Sequence, residues 1–231
     1  MLTSRPAFGP LTRLRLARRR RAAEAYAGAG WPVVAGAWWD QARGRYSCGA
    51  QCGVAGQHAV CDGGVPGPDT AGAGPGRLAA TPGGFPHTVM LVTGLGVDVV
   101  ELPATARGVA IAAARSGVAT AQLPTGRHLL FAASGPLDPG NPLPDRLIMH
   151  GEGSMVALPP SQLRHGPVEW SGRFRRPPAV GELRPVAEVL GLVREGLAAG
   201  SWPGGSPSWH RRTAAAWMTG RRGEDRCRYG G

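Results

Sequence analysis

The sequence predicts an α+β domain, on three observations. Short runs rich in Val, Leu and Ala alternate with Gly and Pro turns, the pattern of β-hairpins. Two longer stretches, 11–28 and 181–199, carry apolar residues at helical spacing. One strand–helix–strand crossing over 97–123 interrupts the hairpins, so the sheet should be mostly antiparallel with a mixed part, not doubly wound.

Residues 1–10 read as a disordered leader, and 11–199 as the folded domain. Leu11 to Gly28 is the first helix, with Leu11, Leu14, Ala17, Ala22 and Ala25 on one stripe and Arg18 to Arg21 over most of the rest. Gly28 and Gly30 should stop it. Residues 31–36 form a short apolar strand. From Trp38 to Gly84 the pattern dissolves, and 62–86, dominated by Gly, Pro and Ala, reads as a flexible loop. Strands resume at Val89–Val92 and Val97–Leu102, on either side of a Thr93-Gly94 turn. Pro103 then opens a small-residue helix to Arg115, closed by Gly117. Val118–Leu123 and His128–Ala133 are joined by Pro124-Thr125-Gly126-Arg127 as a hairpin. Leu147–Met149 and Met155–Leu158 read as a second pair across Gly151-Glu152-Gly153, and Val168–Trp170 as a last strand. In the helix at 181–199, Leu183, Val186, Leu190, Val193 and Leu197 make one apolar stripe. Residues 200–231 read as a disordered basic tail, in which Trp209 and His210-Arg211-Arg212 could stack on single-stranded nucleic acid.

The formal charge is +11, which favours acidic partners, nucleic acid first. Every cation is Arg, because the chain has no Lys. Abundant Ala, Gly, Pro and Arg are also what a GC-rich genome encodes, so composition alone is a competing source of the charge. Arg pairs bidentately with phosphate under either reading. No apolar run approaches the ~20 residues that span a bilayer, and no apolar stretch follows the basic N-terminus as in a secretory signal. A cytoplasmic protein with no membrane partner is the expectation.

Five segments, in order, resemble the prim–pol domain of bifunctional DNA primase/polymerases, in the archaeo-eukaryotic primase superfamily. Residues 26–33, ending Gly30-Trp31-Pro32-Val33, are similar to that family's opening helix and strand. Cys48 to His58 is similar to its Cys-bearing loop. Val92-Thr93-Gly94 precedes an acidic strand, Val97 to Leu102. Leu123-Pro124-Thr125-Gly126-Arg127-His128 to Phe131 resembles its Pro-Ser-Gly-Gly-x-His-x-x-Phe strand pair. Gly151 to Ser161 resembles its Gly-Gly-Tyr-Val-Val-Ala-Pro-Pro-Ser, and Trp170 matches the aromatic that follows. The likeness covers roughly residues 20–170, and the short plan is similar to that of shortened actinobacterial members.

The resemblance implies nucleotidyl transfer by two divalent ions, Mg²⁺ or Mn²⁺, held by carboxylates. It implies two acids two residues apart on one strand, since strand side chains alternate faces, and a third on a later strand. Here the pair falls on Glu101 and Pro103, and the third acid on Ile148. Pro and Ile hold no metal. Asp98 is an odd number of residues from Glu101, so the two should face opposite ways unless a bulge intervenes. His128 matches the family's phosphate-contacting His, and Arg127 and Thr125 flank it as nucleotide-binding candidates. Glu101, Asp98 and His128 are the catalytic candidates, and a degenerate, non-catalytic domain is the preferred expectation.

The four Cys are at 48, 52, 61 and 227, and the spacing Cys48-x3-Cys52-x5-His58-x2-Cys61 gives a Gly-rich loop four soft ligands. They could build a tetrahedral Zn²⁺ site, or be free thiols. Three functions follow: a DNA- or nucleotide-binding relic, an active primase/polymerase working with a separate helicase or other replication partner, or a structural domain whose charge is compositional.

Overall fold

The computed structural model describes residues 10–48, 57–59, 87–137, 142–144, 146–172 and 174–199. The leader, the loop at 62–86 and the tail from 200 fall outside these residues, as do Cys52, Cys61, Trp209 and the basic residues beside it.

The described chain is α+β. Helix α1 (Pro10–Gly28) leads into β1 (Val33–Gly36), then a small hairpin of β2 (Trp38–Asp40) and β3 (Arg45–Ser47). The sequence reading missed that hairpin, whose strands are three residues each. Its signal is Asp40, whose Oδ1 accepts from the Ala42 and Arg43 amides at 3.1 and 3.2 Å and folds the turn. Next come β4 (Thr88–Val92), β5 (Val97–Leu102), a 3-10 turn at Ala104–Ala106 and α2 (Arg107–Arg115). The rest is β6 (Ala119–Gln122), β7 (His128–Ala133), β8 (Ile148–His150), β9 (Met155–Ala157), three two-residue strands β10 (Gln162–Leu163), β11 (Gly166–Pro167) and β12 (Glu169–Trp170), and α3 (Val186–Ala198).

The larger sheet has the order β12-β6-β7-β5-β8, and a second sheet has the order β1-β4-β9. Strands β5 and β6 are both antiparallel to β7, which lies between them. They therefore run parallel to each other, with α2 in the connection, as the 97–123 crossing predicts. Strand alternation gives the larger sheet two apolar faces. Val97, Val99, Leu129 and Phe131 face α1 and the second sheet, and pack with Tyr26, Trp31, Val89 and Leu91. Val100, Leu102, Leu130 and Ala132 face α2 and α3, and pack with Val109, Ala113, Val189 and Val193. The result is three layers, with the five-stranded sheet in the middle.

Three expectations need correction. First, β8 and β9 do not pair with each other: β8 pairs with β5, and β9 with β4, in different sheets. Two of the crossings between the sheets lie side by side, at Thr93-Gly94 and at 151–154. Thr93 holds the corners together, its amide and hydroxyl donating to the Ser154 carbonyl at 3.0 Å. Gly94 sits at φ +86°, and a Cβ there would lie 2.3 Å from Glu152 Cα. Only glycine allows the two corners to stack this closely. Second, α1 does not use its expected stripe. Leu14 is 67% exposed, whereas Ala23 and Tyr26 are fully buried, because only the last turns of the helix rest on the sheet. Third, the last helix is split. Val180–Glu182 is a 3-10 turn, Pro185 takes the N-cap, and α3 starts at Val186. Leu183 thereby joins the opposite core from the rest of its stripe.

Among the described residues no helix is long and apolar enough to cross a membrane.

Candidate functional site

The register of β5, β7 and β8 decides where each candidate residue points. Glu101 lies on the face of Val97 and Val99. Asp98 and His128 lie on the other face, with Val100 and Leu130. Asp98 is opposite Ala132 and His128 opposite Leu102, so they sit at the two ends of the strand pair. Four residues of strand separate them by about 13 Å. The three catalytic candidates therefore do not converge.

Glu101 is buried, and both of its oxygens are engaged. Arg127 Nε donates to Oε1. His150 Nε2 lies 2.6 Å from Oε2, and His150 Nδ1 lies 3.1 Å from Ser154 Oγ. With the proton on Nε2 facing the carboxylate, Nδ1 accepts from the Ser154 hydroxyl, a tautomer assigned from the network. Burial by itself would raise the Glu101 pKa. The hydrogen bonds and charges of His150 and Arg127 outweigh it and hold the carboxyl below its ordinary range. Ile148 is directly opposite Glu101, where the resemblance expects the third acid, and Pro103 is two residues along. A two-metal centre does not fit these residues, because the one carboxylate is bonded to two cationic or proton-donating side chains. His150 is two residues from Ile148 and so shares its face of the strand. That same periodicity, applied with the β5–β8 register, is the signal that puts it beside Glu101.

The order Ser154–His150–Glu101 resembles a nucleophile, base and orienting acid. Here Arg127 takes up the carboxylate charge that would stabilise an imidazolium, and the Ser154 amide is turned onto the Gly151 carbonyl at 3.1 Å. The arrangement ties β5, β7 and β8 to the corner at 151–154.

Asp98 is 6% exposed. Burial raises its pKa, partly offset by the Ser134 hydroxyl and the Gly94 and Gly135 amides. Asp98 Oδ1 and Ser134 Oγ nonetheless have no hydrogen-bond partner among protein atoms. A raised carboxyl pKa favours the folded state below the unfolded value of about 3.9, and that advantage is lost as pH rises through the folded value. Ionised Asp98 is thus a burden at neutral pH. Asp98→Asn, whose amide can donate to Ser134, is expected to stabilise the protein by roughly 1 kcal/mol at pH 7. The gain should vanish in acid, as thermal melts across pH would read.

His128 is 4% exposed, and neither ring nitrogen has a protein partner. Burial lowers its pKa first, and the nearby Arg107 guanidinium adds to the effect, so the imidazole is held neutral. It lines a cleft of about 410 Å³ between α2 and the β6–β12 edge, with Arg107, Arg115, Gln122, Glu169 and Ser171.

The remaining candidates are dispersed. Thr125 is exposed in the hairpin turn, and Arg127 faces Glu101, away from His128. Cys48 is buried and His58 half-buried. The Zn²⁺ set needs Cys52 and Cys61, which lie outside the described residues. Among the described residues no three His, Cys, Asp or Glu side chains gather as metal ligands. No family model and no curated protein matches this chain.

Proposed function

We propose that this chain is a prim–pol-like domain that binds nucleic-acid phosphates and carries out no metal-dependent nucleotidyl transfer. One observation carries the second half: Glu101, at the ligand position of the acidic strand, is bonded by Arg127 and His150, with Ile148 opposite it. Placing a divalent ion there would require breaking both bonds, and among the described residues it would find no second carboxylate beside it. The net charge of +11, all of it from Arg, supports the first half, as does the exposed arginine-rich half of α1. Any role in replication would then be exercised through a separate partner, a helicase or a polymerase.

Two measurements test the reading. Primer extension with Mg²⁺ or Mn²⁺ is expected to give no product, and extension abolished by Glu101→Ala would overturn the non-catalytic half. Anisotropy of a labelled single-stranded oligonucleotide should show affinity falling linearly with log salt, at a slope of about −0.7 per phosphate contact. A flat response would leave a structural domain with compositional charge.

A further inference from the structure

We infer that the free half of α1 enters the major groove of double-helical DNA. The inference rests on the phosphate-binding reading and names the form of nucleic acid that the helix takes.

The first reason is an outward stripe that no core uses. Leu14, Ala17 and Arg21 fall at i, i+3 and i+7, on one side of the helix, and all three are exposed. Leu14 is 67% exposed, a large apolar side chain in open solvent. Ala23 and Tyr26, at about 100° per residue, lie on the far side of the axis and are fully buried. The domain therefore grips α1 by one side of its last turns. Between Thr12 and Arg21 the described side chains are exposed apart from Leu16 and Arg19, which are half-buried. About 15 Å of helix, at 1.5 Å per residue, is thus open around most of its girth.

The second reason is where the charge stands. Arg15 and Arg18 flank the outward stripe on one side, and Arg20 flanks it on the other. Arg18 and Arg20, two residues apart, leave the axis in nearly opposite directions, about 160° apart. Residues 10–23 hold no acid, and the exposed bond from Arg20 to Glu24 is weak enough for a phosphate to replace it. A single strand, or any flat surface, meets one side of a helix. Arginines on both flanks of a solvent-facing stripe call for phosphates on both sides, which the two rails of a groove supply. The B-form major groove, about 12 Å wide, admits a helix about 10–12 Å across and sets base edges against its outer stripe. There Leu14 and Ala17 meet thymine methyls, Arg21 donates to guanine, and Arg15, Arg18 and Arg20 reach the rails.

Other surfaces fit this helix less well. A helix that lies in a membrane interface separates a broad apolar face from its charges, whereas Arg21 stands within this stripe. The major groove of an RNA duplex is too narrow to receive it.

The test is fluorescence anisotropy of the intact protein with a labelled DNA duplex, with each of its strands, and with an RNA duplex of the same sequence. The DNA duplex is expected to bind about tenfold more tightly than the strands or the RNA, the gain of one charge-assisted contact on the second rail. A duplex carrying glucosylated hydroxymethylcytosine, whose sugars fill the major groove at unchanged charge, should lose that advantage. Arg15→Ala and Arg20→Ala, one on each flank, should each take about 0.9 from the duplex salt slope. Both side chains are exposed on a helix, so both variants should keep the wild-type circular dichroism. Equal affinity for duplex and strands would overturn the inference and leave the phosphate-binding reading standing. Binding to none of them would overturn both. An unchanged slope in either variant would mean that one side of the helix is used, and the groove placement would fail. Full affinity for the glucosylated duplex would sink it too. Phosphatidylserine vesicles that displace the duplex at equal phosphate would assign the helix to a membrane surface, against the inference.

Discussion

Glu101→Ala is expected to destabilise the fold by about 2–3 kcal/mol, read as a lower urea midpoint at unchanged slope. Removing one member of a buried ion pair typically costs about 3–5 kcal/mol, because the other charge stays buried without its partner. The lower figure applies here because the side chains of Arg127 and His150 are 29% and 18% exposed and can turn partly to water. Arg127 Nη2 already lacks a protein partner, so losing Glu101 leaves the guanidinium poorly satisfied. Glu101→Gln keeps the shape and one acceptor, and should lose about half as much. The sign separates the two readings of this residue. An acid kept to hold metal repels its neighbours in the metal-free protein, so removing it leaves stability unchanged or raised. An acid that clamps an arginine and a histidine supports the fold directly. The pH dependence follows from the same pairing. Because the folded pKa of Glu101 lies below its ordinary value, the contribution is present above the unfolded pKa of about 4.3 and is lost as pH falls through the folded value. Wild type should lose stability on acidification over that window, and Glu101→Gln should lose less.

Much of this architecture was readable from local pattern. Strands β5 and β7 begin and end where Val97–Leu102 and His128–Ala133 predict, because each is a short Val- or Leu-rich run with Gly or Pro within two residues of either end. The hairpin at 124–127 and the crossing through α2 follow from turn chemistry and from the Pro103 start. What failed was non-local. Nothing in 147–158 says that its two strands leave for different sheets. That depends on Thr93 and Gly94, some sixty residues earlier in the chain, accepting the corner at 151–154. The α1 stripe failed for a related reason: periodicity gives the apolar face but not which turns rest on a sheet. The site divides in the same way. The separation of Asp98 from Glu101 needs only strand alternation, and was legible. The clamp on Glu101 needs the β5–β8 register, and the placement of His128 away from Glu101 needs the β5–β7 register, neither of which is encoded in any single segment.

The arginines of α1 should account for the largest change in nucleic-acid binding. Between Thr12 and Arg21 every described side chain is exposed except Leu16 and Arg19, so this half of the helix presents Arg15, Arg18, Arg20 and Arg21 to solvent. Arg20 pairs with Glu24 in an exposed bond of little strength. The charges crowd one another: burial and the neighbouring Arg15 lower the pKa of Arg19. A phosphate backbone would relieve that repulsion. The triple variant Arg18→Ala, Arg20→Ala and Arg21→Ala is therefore expected to reduce the slope of log affinity against log salt by about 2 on single-stranded DNA, three contacts at about 0.7 each. Affinity at low salt should fall at least tenfold. Stability should not fall with it, because alanine is the better helix former and like charges three residues apart destabilise a helix. A second triple variant, at the exposed Arg43, Arg175 and Arg176, provides the comparison. If binding is seated on α1, that variant keeps most of the slope. Equal losses from the two variants would mean that net charge alone attracts the DNA, and the helix would have no special part in it.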